Sequence, residues 1–145
     1  MLIKNIQTGV LGCILAVQSF YDIRKKELPS WVTLAGGIIG ILLWVAKGEF
    51  YLEQLAALLP GILCLLFAKL SREAMGYGDG LLIIMMGIYL KTDKIITVCM
   101  WAFCIAGVAA LFLLVSGKKK GKQAIPFVPF LFAAFLLEVF INASV

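Results

Sequence analysis

Six apolar runs, each parted from the next by a short loop rich in charge, glycine or proline, leave this chain little freedom in how it folds. They fall at about Ile3–Tyr21, Trp31–Ala46, Leu52–Leu70, Gly76–Leu90, Ile95–Ser116 and Ala124–Ala143. A helix that crosses a bilayer needs about 20 mostly apolar residues, with about 17 to 25 as the working range. Inside hydrocarbon the backbone must satisfy its own hydrogen bonds, and a helix does so within one segment. With 63% hydrophobic residues, 14% charged residues and a mean hydropathy of +1.05, the chain is too apolar for a soluble domain. No polar linker is long enough to separate two domains. The expectation is an all-α, polytopic membrane protein: a single domain over residues 1–145, built as a bundle of six transmembrane helices. The first apolar run has no small-x-small cleavage site ahead of the charged loop at Asp22, so it reads as a retained helix rather than a signal peptide.

Composition then narrows the chemistry. The chain has no histidine, so catalysis by a Ser/His or Cys/His pair is excluded. Its four cysteines, Cys13, Cys64, Cys99 and Cys104, all lie inside apolar runs and form no CxxC pair. Neither a metal site nor a disulfide framework is supported by that pattern, and free thiols acting as small hydrophobes account for it. No cofactor is expected, and any hydrolytic chemistry falls to carboxylates. The bilayer is the expected surrounding partner and nucleic acid is not.

Orientation follows from the positive charges, because cytoplasmic loops carry the excess of Lys and Arg. The first, third and fifth loops hold Arg24, Lys25 and Lys26, then Lys69 and Arg72, then Lys118, Lys119, Lys120 and Lys122, nine in all. The opposite side holds four: Lys4, Lys47, Lys91 and Lys94. Both termini are therefore expected outside a cell membrane, with the odd loops in the cytoplasm. On this topology Asp22 and Asp79 share the cytoplasmic end of the bundle. Glu49, Glu53 and Asp93 fall in outer loops, and Glu27 and Glu73 sit among basic residues of inner loops. Glu138, deep in the sixth run, is expected to pair with an outer lysine such as Lys47 or Lys91, or to lie near the outer interface. It is not assigned to catalysis.

An acid at a membrane helix end is costly and marks a candidate functional site. Asp79 sits in Met75-Gly76-Tyr77-Gly78-Asp79-Gly80, where glycines permit unusual backbone angles or close approach of a neighbour. The plainer reading is that Asp79 is a helix N-cap. Leu81–Leu90 is ten residues, about 15 Å of helix, against a hydrocarbon core of about 30 Å. Part of the glycine turn must then lie below the membrane surface, and irregular backbone there lines protein or a watery cavity. A water-accessible, cytoplasm-facing pocket around Asp79 is expected. Two acids held close share a proton: the ionised one can deprotonate a water, and the protonated one can hydrogen-bond a developing oxyanion. Helix dipoles favour charge on Asp79, at a helix N-terminus, over Asp22, at a C-terminus. Gln18, one turn before Asp22, either orients that carboxyl group or is polar packing.

Three stretches resemble the type IV prepilin peptidases. Tyr21-Asp22-Ile23-Arg24 followed by Leu28-Pro29 is similar to the family's first-aspartate motif, Gly76-Tyr77-Gly78-Asp79 to its Gly-x-Gly-Asp motif, and Ile125-Pro126-Phe127-Val128-Pro129-Phe130-Leu131 to its Pro-Phe-x-Pro-Phe segment. The resemblance implies a membrane aspartyl endopeptidase that clips the basic leader from pilin-like precursors at the cytoplasmic face. Asp22 and Asp79 would be catalytic, with Gly76, Gly78, Gly80 and Gln18 in support. Many bacterial members carry a four-cysteine zinc insertion and methylate the new N-terminus; this chain has no such insertion, so zinc and methyltransferase activity are not carried over. It is similar to the short, peptidase-only members of pilus, competence and secretion systems. Ser30 stands where Asn often follows the Pro. The Tyr-Asp and Gly-x-Gly-Asp pair also resembles presenilin-like proteases, whose Pro-Ala-Leu motif is absent. Two other classes stay open: a small proton- or cation-coupled carrier using the two acids for ion binding, and an assembly subunit without chemistry. The carrier expects acids near mid-membrane and related halves. Gly36 and Gly40 form a GxxxG, read as bundle packing rather than a substrate groove, and Pro60-Gly61 is expected to kink the third helix.

Overall fold

The computed structural model describes residues 2–25, 28–47, 55–70, 76–116 and 126–143. Among them all regular structure is helical, in six helices: α1 (Leu2–Lys25), α2 (Ser30–Lys47), α3 (Leu59–Leu70), α4 (Tyr77–Tyr89), α5 (Thr92–Val115) and α6 (Val128–Ala143). Each corresponds to one apolar run. α1 and α5 are long and apolar enough to cross a membrane, whereas α2, α3, α4 and α6 are apolar but shorter. The basic cluster Lys118 to Lys122 and Met75 lie outside the described residues.

Three boundaries differ from the sequence expectation, each for a local reason. α1 runs one turn further than expected and carries Asp22 inside its last turn. Basic residues there suit the negative helix end, and each lies over the ring four residues back: Arg24 is 4.5 Å from the centroid of Phe20 and Lys25 is 5.8 Å from that of Tyr21. Pro60 does not kink α3; it stands in the first turn, where its missing N–H leaves no intrahelical bond unmade. α6 begins at Val128, with Pro126 and Phe127 ahead of it outside the helix.

α4 is the axle of the bundle, packing on α1, α2, α3 and α5. Gly80, Leu82, Ile83, Met85, Met86, Gly87 and Tyr89 are all buried, which leaves almost no free face on this helix. Glycine lets the neighbours close on it. A Cβ on Gly61 would stand 2.5 Å from the backbone nitrogen of Ile84, and one on Gly87 would collide with the carbonyl oxygen of Ala57. On α2 the expected packing role of the GxxxG pair is seen directly. Cβ atoms there would stand 2.6 Å from Met85 Sδ at Gly36 and 2.7 Å from Tyr89 Cε2 at Gly40. The same close approach lets the Tyr89 hydroxyl donate to the Gly36 carbonyl at 2.6 Å.

α1 lies along α6, and two contacts fix its direction: Asp22 meets Val128, while Gly12 faces Phe135. The two helices are antiparallel. Gln7, Leu11, Leu15, Gln18 and Asp22 form the buried stripe of α1, spaced by three or four residues as one helix face requires. Large apolar side chains such as Phe112, Val115 and Phe140 point outward, where a lipid-facing surface carries them at no cost in hydrophobic free energy.

Candidate active site

Three helix ends converge: the C-terminus of α1, the N-terminus of α4 and the N-terminus of α6. Asp22 is buried in the last turn of α1. Its Oδ2 accepts a hydrogen bond from the backbone N–H of Val128 at 3.0 Å, and the backbone of Phe127 also faces it. The first N–H groups of a helix have no intrahelical partner, so Asp22 serves the open end of α6 from another helix. That contact adds a third helix end to the electrostatics. The sequence expectation counted only the ends carrying the two acids, which favoured charge on Asp79. A direct N–H donor at the positive end of α6 gives Asp22 a comparable claim to the charge.

Asp79 is half-buried in the first turn of α4. It is not the N-cap: Gly76 holds that position with φ −63° and ψ 131°, and no side chain caps the helix. Capping therefore does not account for Asp79. Nor does Gly76 owe its identity to a left-handed backbone, since extended angles of this kind suit any residue. Space is the reason. A Cβ there would stand 3.3 Å from Asp79 Oδ2, so the missing side chain leaves room for the carboxylate to turn back over the loop.

The neighbouring glycines position this turn. At Gly78 a Cβ would fall 2.8 Å from Leu28 Cδ1, so the Leu28-Pro29 loop between α1 and α2 rests directly on the acid-bearing turn. At Gly80 it would fall 2.7 Å from Leu65 Cδ2 and 3.1 Å from the Leu65 nitrogen, so α3 closes on the other side. Asp79 and Asp22 stand near enough for their charges to act on one another, and Cys64 on α3 interacts with Asp79 in the same way. Gln18 is wholly buried one turn before Asp22, and its Nε2 donates to Thr33 Oγ1 on α2 at 2.9 Å.

The chain carries two acids at one end of a helix bundle, with the motifs around them folded into contact. A family model described as the type IV leader peptidase family matches residues 9–115. The chain belongs to the type IV leader peptidase family. Membership makes it a peptidase in general terms and, with two helices long and apolar enough to cross a bilayer, a membrane protein. Comparison with curated proteins and with solved structures returned no match.

Sequence reasoning named Asp22, Asp79, Gln18 and the three glycines, and all of them gather here. It missed Thr33 and the Val128 N–H. The second had a signal in the Pro-Phe-Val-Pro-Phe segment, whose prolines mark a helix start and hence a set of free N–H groups. Glu138 is elsewhere, on α6, where the partner seen is Asn142; the Lys47 side chain lies outside the described residues. Its Oε1 accepts from Asn142 Nδ2 on the same helix, and its backbone carbonyl accepts from that amide at 2.8 Å. Among the described residues no group of three or more acids and cysteines is arranged to hold a metal ion.

Proposed function

We propose that this chain is a membrane aspartyl endopeptidase that removes the leader peptide from type IV pilin-like precursors at the cytoplasmic membrane face, with Asp22 and Asp79 as its catalytic dyad. The observation that carries the reading is the approach of these two carboxylates from different helices to one end of the bundle. Six crossings with both termini outside put that end on the cytoplasmic side, where a precursor's leader is exposed. α4 is 13 residues, about 20 Å long, so the acids at its start lie in a pocket reached by water from that side. A carrier would hold its acids near mid-membrane; the clustering at one end favours the peptidase.

Hydrolysis then needs only what these residues supply. One carboxylate takes a proton from water as the water oxygen bonds to the scissile carbonyl carbon. The other, protonated, gives its proton to the carbonyl oxygen. Collapse of the tetrahedral diol breaks the C–N bond: one diol hydroxyl returns its proton to the acid partner, and the first carboxylate passes the proton it took from water to the leaving nitrogen. Gly76, Gly78 and Gly80 support the turn that carries Asp79. The product is a new N-terminus that is not methylated by this chain.

The test is cleavage of a candidate precursor in membranes by wild type, Asp22→Asn and Asp79→Asn, with protein level and unfolding temperature followed in parallel. Loss of the cut with either substitution in folded protein is expected. Cleavage that persists in the double variant would remove the dyad from the mechanism.

A further inference from the structure

The carboxamide of Gln18 is a buried group with half of its bonding capacity idle. It has no exposed surface; Nε2 is engaged by Thr33, and Oε1 has no hydrogen-bond partner. A buried acceptor left unmade is destabilising, so this oxygen calls for a donor that arrives at some stage of the protein's work. Gln18 and Asp22 are four residues apart on one helix face, a spacing at which Gln and Asp side chains meet. Both Asp22 oxygens are acceptors while the group is ionised, so neither can serve Oε1 in that state. Oδ2 is held by the Val128 N–H, with the Phe127 backbone also facing the group, which favours Oδ1 as the oxygen that takes a proton.

We propose that Gln18 is a positioning residue for Asp22, whose Oε1 accepts a hydrogen bond from Asp22 Oδ1 once that oxygen has taken the proton of the attacking water. This rests on the peptidase reading and assigns roles within it, Asp22 as base and Asp79 as acid. The Val128 N–H at the start of α6 orients the Asp22 carboxyl group before reaction. Proton transfer turns Oδ1 from acceptor to donor, and the idle carbonyl of Gln18 becomes its partner. Such an interaction exists after proton transfer and not before it, so it lowers the barrier rather than tightening substrate binding. Thr33 keeps the carboxamide in place: its bond to Nε2 spans α1 and α2 and leaves Oε1 unpaired. Among the described residues, the charged and titratable groups around Asp22 are Asp79 from α4, Cys64 beyond it on α3, and Arg24 and Lys25 on its own helix, the last two turned back over Phe20 and Tyr21.

The experiment uses the full chain in membranes and two readouts. Infrared difference spectroscopy at low pH follows the carboxylic-acid C=O stretch of Asp22, identified by its disappearance in Asp22→Asn. Gln18→Met, which keeps the volume and removes the carbonyl, is expected to move that band to higher wavenumber. The same variant is expected to lower kcat about tenfold with KM changed by less than about twofold, the kinetic pattern of a lost transition-state contact. Thr33→Val is expected to lower kcat in the same way but less. An unmoved band in folded Gln18→Met, or a loss confined to KM, overturns the proposal. The band is read without substrate, so a chain that shows the shift yet cuts no precursor fails the peptidase reading separately.

Discussion

Two buried acids, Asp22 on α1 and Glu138 on α6, are almost equally hidden, at 7% and 8% exposure. Their surroundings are opposite. Glu138 is served by Asn142, one turn along its own helix, so among the described residues its side-chain bonding stays within a single element. Asp22 is served by the backbone of a helix more than a hundred residues away in sequence, and it faces a second acid from a third helix. Burial therefore does not mark the chemically interesting carboxylate. What separates them is whether the partners come from one element or from several, because only convergent elements can hold a reacting geometry.

Substitutions sharpen that contrast. Asp22→Asn and Asp79→Asn should each reduce cleavage by about a thousandfold or more, as expected when a general acid or base is removed. If Glu138→Gln matched that loss, the contrast between the two acids would collapse. Cleavage measured against pH should describe a bell whose two limbs belong to the pair jointly; a flat profile would mean that the two carboxylates do not share a proton. Next in size is Gly80→Val, which drives branched carbon into Leu65 and its backbone. Overpacking of this kind costs about 1–3 kcal/mol and should lower the unfolding temperature in detergent while cutting activity by displacing Asp79. Tyr89→Phe removes the hydroxyl that ties α4 to the Gly36 carbonyl. It should cost about 1 kcal/mol with cleavage retained, because that bond lies at the far end of α4 from the acids. Glu138→Gln keeps an oxygen for Asn142 and should be the mildest, with cleavage within about twofold of wild type and stability changed by less than about 1 kcal/mol.

Much of this was legible in the sequence, and particular residues show why. The six helices follow from apolar runs, a signal carried by every residue in each run. The acids stood out because charge is rare in these segments, and Gly76, Gly78 and Gly80 because a glycine-rich turn must make room for something. Asp79's standing relative to the helix start was not legible, since Gly76 and Asp79 are both acceptable caps and only tertiary packing chose between them. The end of α1 lies a turn beyond the apolar run because Arg24 and Lys25 read as loop residues until Phe20 and Tyr21 offer them rings to lie over. The Val128 N–H is signalled only indirectly, by the prolines on either side of it. A backbone donor becomes visible only once the proline-rich segment is seen to start a helix beside α1.

That last contact carries a consequence for biosynthesis. The acid near the front of the chain gains its anchoring donor only when the closing segment has been made and docked alongside it. A nascent chain halted before Val128 would already own both carboxylates, yet one of them would hang without its tether. The dyad proposed above is thereby held in full only once the segment bearing Val128 is in place.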